Sequence, residues 1–223
     1  MEKSSWIRKM FEEGISLKKQ FGEENVFDLS LGNPVIEPPD KVQAALVQAA
    51  KDISPGLHRY MPNAGLQDVR EAVAKTLSNE CRVSISANDL VMVCGAAGGL
   101  NITLKTLLDS GDEVLIFAPY FVEYLFYADN HGGKAVAVKT HDDFTLDMDA
   151  LKDALSEKTK AVIVNSPNNP TGVVYSREEL KQLAEILKAH SEKTGKAVYL
   201  ISDDPYKKIT FDGVEATNIL ELY

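Results

Sequence analysis

From residue 89 to residue 203, short apolar runs take turns with amphipathic stretches, and no other feature of the chain limits its fold so strongly. The runs predict strands over 89–94, 113–117, 134–138, 161–165 and 197–202, with a further short one over 208–211. Between them, apolar residues spaced three and four apart predict helices over 97–108, 121–130, 147–155 and 176–190. The strand runs are continuous rather than alternating, which is the pattern of a sheet covered on both faces. Repeated β-α-β units of this length imply a mostly parallel sheet with right-handed crossovers. The expected architecture is therefore α/β, with three layers in the order α/β/α.

Ahead of this region the pattern is looser. Helices are predicted over 4–20, 40–51 and 66–79, and a short strand over 26–29. Two loops separate them, 30–39 and 54–65, the second with turn formers Pro55, Gly56, Pro62, Asn63 and Gly65. No internal repeat or low-complexity tract is present.

Charge narrows the range of partners. The 223 residues carry a formal net charge of −9, which argues against a nucleic-acid or anionic-membrane surface, since both are polyanions. The first twenty residues are charged throughout and resemble neither a signal peptide nor a membrane span, so the cytoplasm is the expected address. The two cysteines, Cys81 and Cys94, are too far apart for a CxxC pair and read as small core thiols. The four histidines are scattered, and none reads as a metal ligand.

In parallel α/β sheets ligands sit at the carboxyl ends of the strands, which selects three places. The run LVMVCGAAGGL would leave the backbone N–H groups of Gly95, Ala96 and Ala97 free at a helix start, suited to a phosphate. The same small residues would also let a strand pack tightly on a helix. It is not GxGxxG and lacks GK[ST], so dinucleotide and P-loop readings fail. The run AVIVNSPNNPTG puts Asn168 and Asn169 after a buried strand, either as a plain polar turn or as donors aimed at a phenolate-like oxygen. The run AVYLISDDPY ends a strand in Asp203 and Asp204, with Tyr206 close behind. A largely buried carboxylate there needs a cationic partner or several donors, and a protonated ring nitrogen would serve.

NSPNNPTG followed by a strand and DDPY resembles the class I and II aminotransferases, the fold-type I enzymes that depend on pyridoxal phosphate. LGNP, HRYMPNAGLQDVREAVA, VCGAAGGL and FAPYFVEY resemble further segments of that family in the same order, so the likeness runs from about Phe27 to the end. The resemblance implies an incomplete major domain of the pyridoxal-phosphate-dependent transferase type over 46–223, and part of a smaller domain in the helix and loop of 1–45. It implies transfer of an amino group from an α-amino acid to a 2-oxo acid, in a homodimer. By the family pattern Asp203 pairs with the ring nitrogen, ahead of Asp204. Asn169 and Tyr206 bond the phenolic oxygen, Phe121 stacks on the ring, and Gly95, Ala96 and Ala97 hold the phosphate. Tyr60 would reach the cofactor phosphate of a neighbouring subunit, and Gly32 and Asn33 would lie by the substrate carboxylate.

The family pattern continues past the DxxY motif to a Schiff-base lysine, and this chain has no lysine after Lys208. The expectation is a truncated chain, inactive by itself, that binds the cofactor weakly and without a covalent bond. Lys207 and Lys208 read as solvated lysines. Other readings are a β-lyase or synthase of the same fold type, a non-catalytic cofactor-binding fragment, or a nucleotide-binding α/β domain.

Overall fold

The computed structural model describes residues 6–29, 32 and 36–223. The chain divides into two compact units, Met1–Met61 and Pro62–Tyr223.

In the first unit, α1 (Trp6–Phe21) and α2 (Asp40–Lys51) are the helices. Lys18 pairs with Asp28 at 2.9 Å, which ties the segment after α1 back to that helix. Residues 26–29 form no strand, because no neighbouring chain among the described residues pairs with them.

The second unit opens with α3 (Gln67–Cys81) and α4 (Gly95–Leu107). Then follow β1 (Glu113–Ala118), α5 (Glu123–Asp129), β2 (Lys134–Lys139), α6 (Met148–Ala154), β3 (Thr159–Asn165), α7 (Arg177–Thr194) and β4 (Tyr199–Asp203). The four strands form one parallel sheet in the order β2-β1-β3-β4. Strand pleating splits β1 between two cores. Leu115 and Phe117 join Val162, Val164, Leu183 and Leu187 on one face, towards α6 and α7. Val114 and Ile116 join Ile163, Leu104, Tyr124 and Ala128 on the other, towards α4 and α5. The three-layer α/β/α arrangement expected from the apolar runs is thus the one observed.

Local signals set the helix starts. The Ser176 hydroxyl and the Glu179 carboxylate form a reciprocal capping box at the head of α7. The other Glu179 oxygen accepts from the Leu146 N–H at 2.9 Å and binds the chain ahead of α6 to α7. Asp147 caps α6 by accepting from the N–H groups of Asp149 and Ala150.

Two further expected strands, both in this second unit, are absent. Residues 90–94 run without a ladder partner among the described residues. Their attachments are the Met92 N–H on the Ala64 carbonyl at 3.0 Å and a turn in which Gly95 N–H meets the Val93 carbonyl at 3.2 Å. Gly65, at φ +96°, permits that approach, since a Cβ there would stand 2.7 Å from the Met92 side chain. Residues 208–211 join no strand ladder among the described residues, and their backbone bonds are local, Ile209 N–H to the Tyr206 carbonyl at 2.8 Å and Val214 N–H to the Phe211 carbonyl at 3.0 Å. Apolar pattern gives a segment extended character, but a strand needs a neighbour to take its backbone groups. Cys81 is buried as expected, whereas Cys94 is exposed, because the unpaired approach to α4 lies at the surface.

Candidate functional site

The strand order reverses at β1: β2 lies on one side of it and β3 on the other. In parallel sheets the crevice outside the strands' carboxyl ends at such a reversal is where ligands bind. A cavity of about 260 Å³ sits there. The chain after β1 brings Phe121 to it, the end of β3 and its following turn bring Asn165 and Asn169, and the end of β4 brings Asp203 and Tyr206. Ala96 and Ala97, from the first turn of α4, complete the rim.

Asp203 ends β4 beside Asn165, its partner in the parallel ladder. Its carboxylate Oδ2 accepts a 2.7 Å hydrogen bond from the Tyr124 hydroxyl. Tyr124, 2% exposed, packs edge-on against Phe121 with ring centroids 5.7 Å apart. Burial, and then the bond to Asp203, push the Tyr124 hydroxyl far above the ordinary phenol range. The neighbouring Tyr127 is raised too, first by burial and then by Glu123 and Asp203.

Asn165, 5% exposed, joins two of the strand ends with one amide. Its Nδ2 donates to the Asp203 carbonyl at 2.8 Å, and its Oδ1 accepts from the Asn169 N–H at 2.6 Å. Asn168 turns the other way and holds the loop, accepting from both the N–H and the hydroxyl of Thr171. Asn169 is left with its side chain towards Tyr206, Nδ2 to hydroxyl 3.4 Å. At α4 the first turn has no side-chain cap and no acid. Gly95 N–H is taken up by the Val93 turn, while Gly95 itself, at φ +71°, has open space where a Cβ would stand.

Of the residues singled out in the sequence, Ala96, Ala97, Phe121, Asn169, Asp203 and Tyr206 line one cavity. Asp204, next to Asp203, lines a different surface with Lys207 and Lys208. Gly32 and Tyr60 are exposed and belong to the first unit, and Asn33 lies outside the described residues. Of the cavity residues that were not singled out, Tyr124 and Asn165 make the hydrogen bonds that hold it together. Tyr124 had a visible signal, as it follows Phe121 by three in FVEY, a segment whose spacing reads as one helix face although Phe121 itself lies just ahead of α5. Among the described residues no helix is long and apolar enough to cross a membrane, and no cluster of His, Cys, Asp or Glu could hold a metal ion.

Residues 24–222 match the family model for aminotransferases of class I and II. Among curated relatives, the aspartate aminotransferase of Pyrococcus abyssi is 34% identical over 98% of this chain and 53% of its own length. That of Geobacillus stearothermophilus is 34% identical over 89% of this chain and 49% of its own. Among solved structures, an amino transferase from Eubacterium rectale superposes with a TM-score of 0.92 at 36% identity, covering 98% of this chain and 56% of that one. Thermus thermophilus aspartate aminotransferase with maleate gives 0.87 at 31%, covering 99% and 55%. The fold and the match together define a pyridoxal-phosphate-dependent transferase architecture. The chain belongs to the class I and II aminotransferases, and it spans about half the length of the curated relatives it matches.

Proposed function

We propose that this chain carries the pyridoxal-phosphate cradle of an aminotransferase that moves an amino group from an α-amino acid to a 2-oxo acid. Aspartate is the first donor to test, since several relatives are named aspartate aminotransferases. The observation that carries the reading is Asp203. Its carboxylate faces an aromatic-walled cavity at the strand reversal, and no cation pairs with it among the described residues.

The other residues fit the same group. A planar cationic ring needs a carboxylate at its nitrogen, an apolar face, donors at its phenolic oxygen and N–H groups at its phosphate. Asp203 would hold the ring nitrogen protonated, because a neighbouring negative charge favours the cation. Phe121 would cover a ring face. Asn169 and Tyr206, already 3.4 Å apart, would donate to the phenolic oxygen. The uncapped first turn of α4 would take the phosphate on Ala96 and Ala97, with Gly95, whose N–H is bound to the Val93 carbonyl, leaving open space beside them. When bound, the cofactor supplies an electron sink for the carbanion formed at the substrate's α-carbon. Gly32 and Asn33 are assigned to the substrate carboxylate and Tyr60 to the phosphate of a second protomer, in a homodimer working in the cytoplasm. Residues 1–45 are this chain's share of a smaller domain.

The test is an absorption titration of the 223-residue chain with pyridoxal phosphate, repeated on Asp203→Ala and Asp204→Ala. Saturable binding is expected, weakened about thirty-fold by Asp203→Ala, in keeping with a hydrogen bond to a charged group, and within about two-fold of wild type for Asp204→Ala, whose charge is exposed. Borohydride reduction and peptide mapping are expected to mark no single lysine. Absence of saturable binding, or equal losses in the two variants, would overturn the reading.

A further inference from the structure

Asp203 and Tyr124 are 79 residues apart in sequence and come from β4 and α5. The hydroxyl–carboxylate distance of 2.7 Å lies in the charge-assisted range. The contact engages Oδ2 and leaves Oδ1 without a hydrogen-bond partner among the described residues. The Tyr124 ring has little freedom. Phe121 meets it edge-on at 5.7 Å, Tyr127 lies at 6.4 Å, and the side chain is buried.

The choice of donor has an electrostatic consequence. A lysine or arginine in this place would neutralise Asp203 and compete with any cation in the cavity. A phenol that stays neutral orients the carboxylate and leaves its negative charge in place.

We propose that Tyr124 is a positioning residue, holding the Asp203 carboxylate in one rotamer through a neutral hydroxyl so that Oδ1 and the full charge face a cationic ring nitrogen. This rests on the cofactor reading above and adds to it a residue that touches the carboxylate rather than the cofactor.

The experiment is a double-mutant cycle on the 223-residue chain, with pyridoxal phosphate affinity as one readout and proton NMR of the cofactor-free chain as the other. Tyr124→Phe keeps the ring and its packing and removes the hydroxyl alone. It is expected to weaken binding about ten-fold while leaving the circular dichroism unchanged. In the Asp203→Ala background the same substitution should cost less than about two-fold, because its target is gone. In the cofactor-free wild type a slowly exchanging hydroxyl proton should be visible, and it should vanish in both Tyr124→Phe and Asp203→Ala. An equal loss from Tyr124→Phe in both backgrounds, no loss in either, or the absence of that proton in the wild type would overturn the proposal. If binding still depends on Asp203 in those cases, the cofactor reading stands. If the wild type does not bind pyridoxal phosphate saturably, both fall.

Discussion

Two carboxylates sit side by side at the end of β4, and their surroundings differ completely. Asp203 enters a small cavity where Tyr124 donates to it and Asn165 holds its carbonyl. Asp204 faces an open groove of about 860 Å³ between α3 and the chain after β4, walled by Val73, Leu77, Leu200, Ile209 and Leu220. Its bond there is a local one, from the Ser202 hydroxyl at 2.6 Å. Across the groove Lys208 pairs with Glu80 at 2.7 Å. Pleating sends neighbouring side chains to opposite sides of a sheet, so one residue of register separates the two environments. On the cavity side the polar groups are bound to partners distant in sequence. On the groove side apolar surface is open, including Ile209 and Leu220.

The sharpest break in this contrast is Asn165→Ala. One buried amide serves both Asp203 and Asn169, so its loss leaves a carbonyl and an N–H without their partner in a partly buried place. Each such group costs about 1–3 kcal/mol, and the variant is expected to lose about 2–4 kcal/mol of unfolding free energy in urea titrations. The comparison is Ser202→Ala on the groove side, whose hydroxyl meets an exposed partner and whose removal should cost less than about 1 kcal/mol. Equal costs would mean that the cavity is no better ordered than the groove.

The sequence exposed these regions unequally, for physical reasons. The continuous apolar runs made β1 to β4 and their helices readable, because burial on both faces leaves a compositional trace. Asp203 and Asn169 stood out in the sequence because ligands gather at strand ends, where polar residues interrupt those runs, whereas Phe121 stood out only through the family resemblance. The segments 26–29, 90–94 and 208–211 were misread as strands, since pairing is a relation between chains and local pattern records only half of it. The bond from Tyr124 to Asp203 was invisible for a similar reason. It depends on how α5 settles over β4, which no spacing within FVEY reveals.

Alkaline pH tests two buried tyrosines, Tyr124 in the core behind the cavity and Tyr175 in the core on the other face of the sheet. Tyr124 is raised from 10.0 by burial and by Asp203, and Tyr175 is pushed up to about 12 by burial and Glu179. A phenol with a raised folded pKa contributes stability that is complete below its unfolded pKa and is lost as pH climbs above it. Above pH 10 the unfolded chain releases protons that the folded chain retains. Each such group should therefore lower stability by up to about 1.4 kcal/mol per pH unit. Urea titrations between about pH 9 and about pH 11 should show this fall. Tyr124→Phe should flatten it, and an unchanged slope in that variant would place the titrating group elsewhere.

The smallest effect concerns Asp204. Much of its surface is open, yet the apolar walls of the groove desolvate its carboxyl and raise it above 3.8, against the opposing influence of the Ser202 bond and Lys207. Because the folded value is raised, the favourable contribution is present below 3.8 and is lost as pH rises through the folded value. At neutral pH the ionised group is therefore a small liability. Asp204→Asn keeps the shape and an acceptor for Ser202, and it should stabilise the chain by less than about 0.5 kcal/mol, since an exposed charge is screened. The variant and the wild type should converge as the pH falls below about 4, where the carboxyl is itself neutral. Thermal unfolding at neutral and acid pH checks both points. A less stable Asp204→Asn at neutral pH would show that the attraction of Lys207 outweighs the desolvation, and that the groove holds its carboxylate as firmly as the cavity holds Asp203.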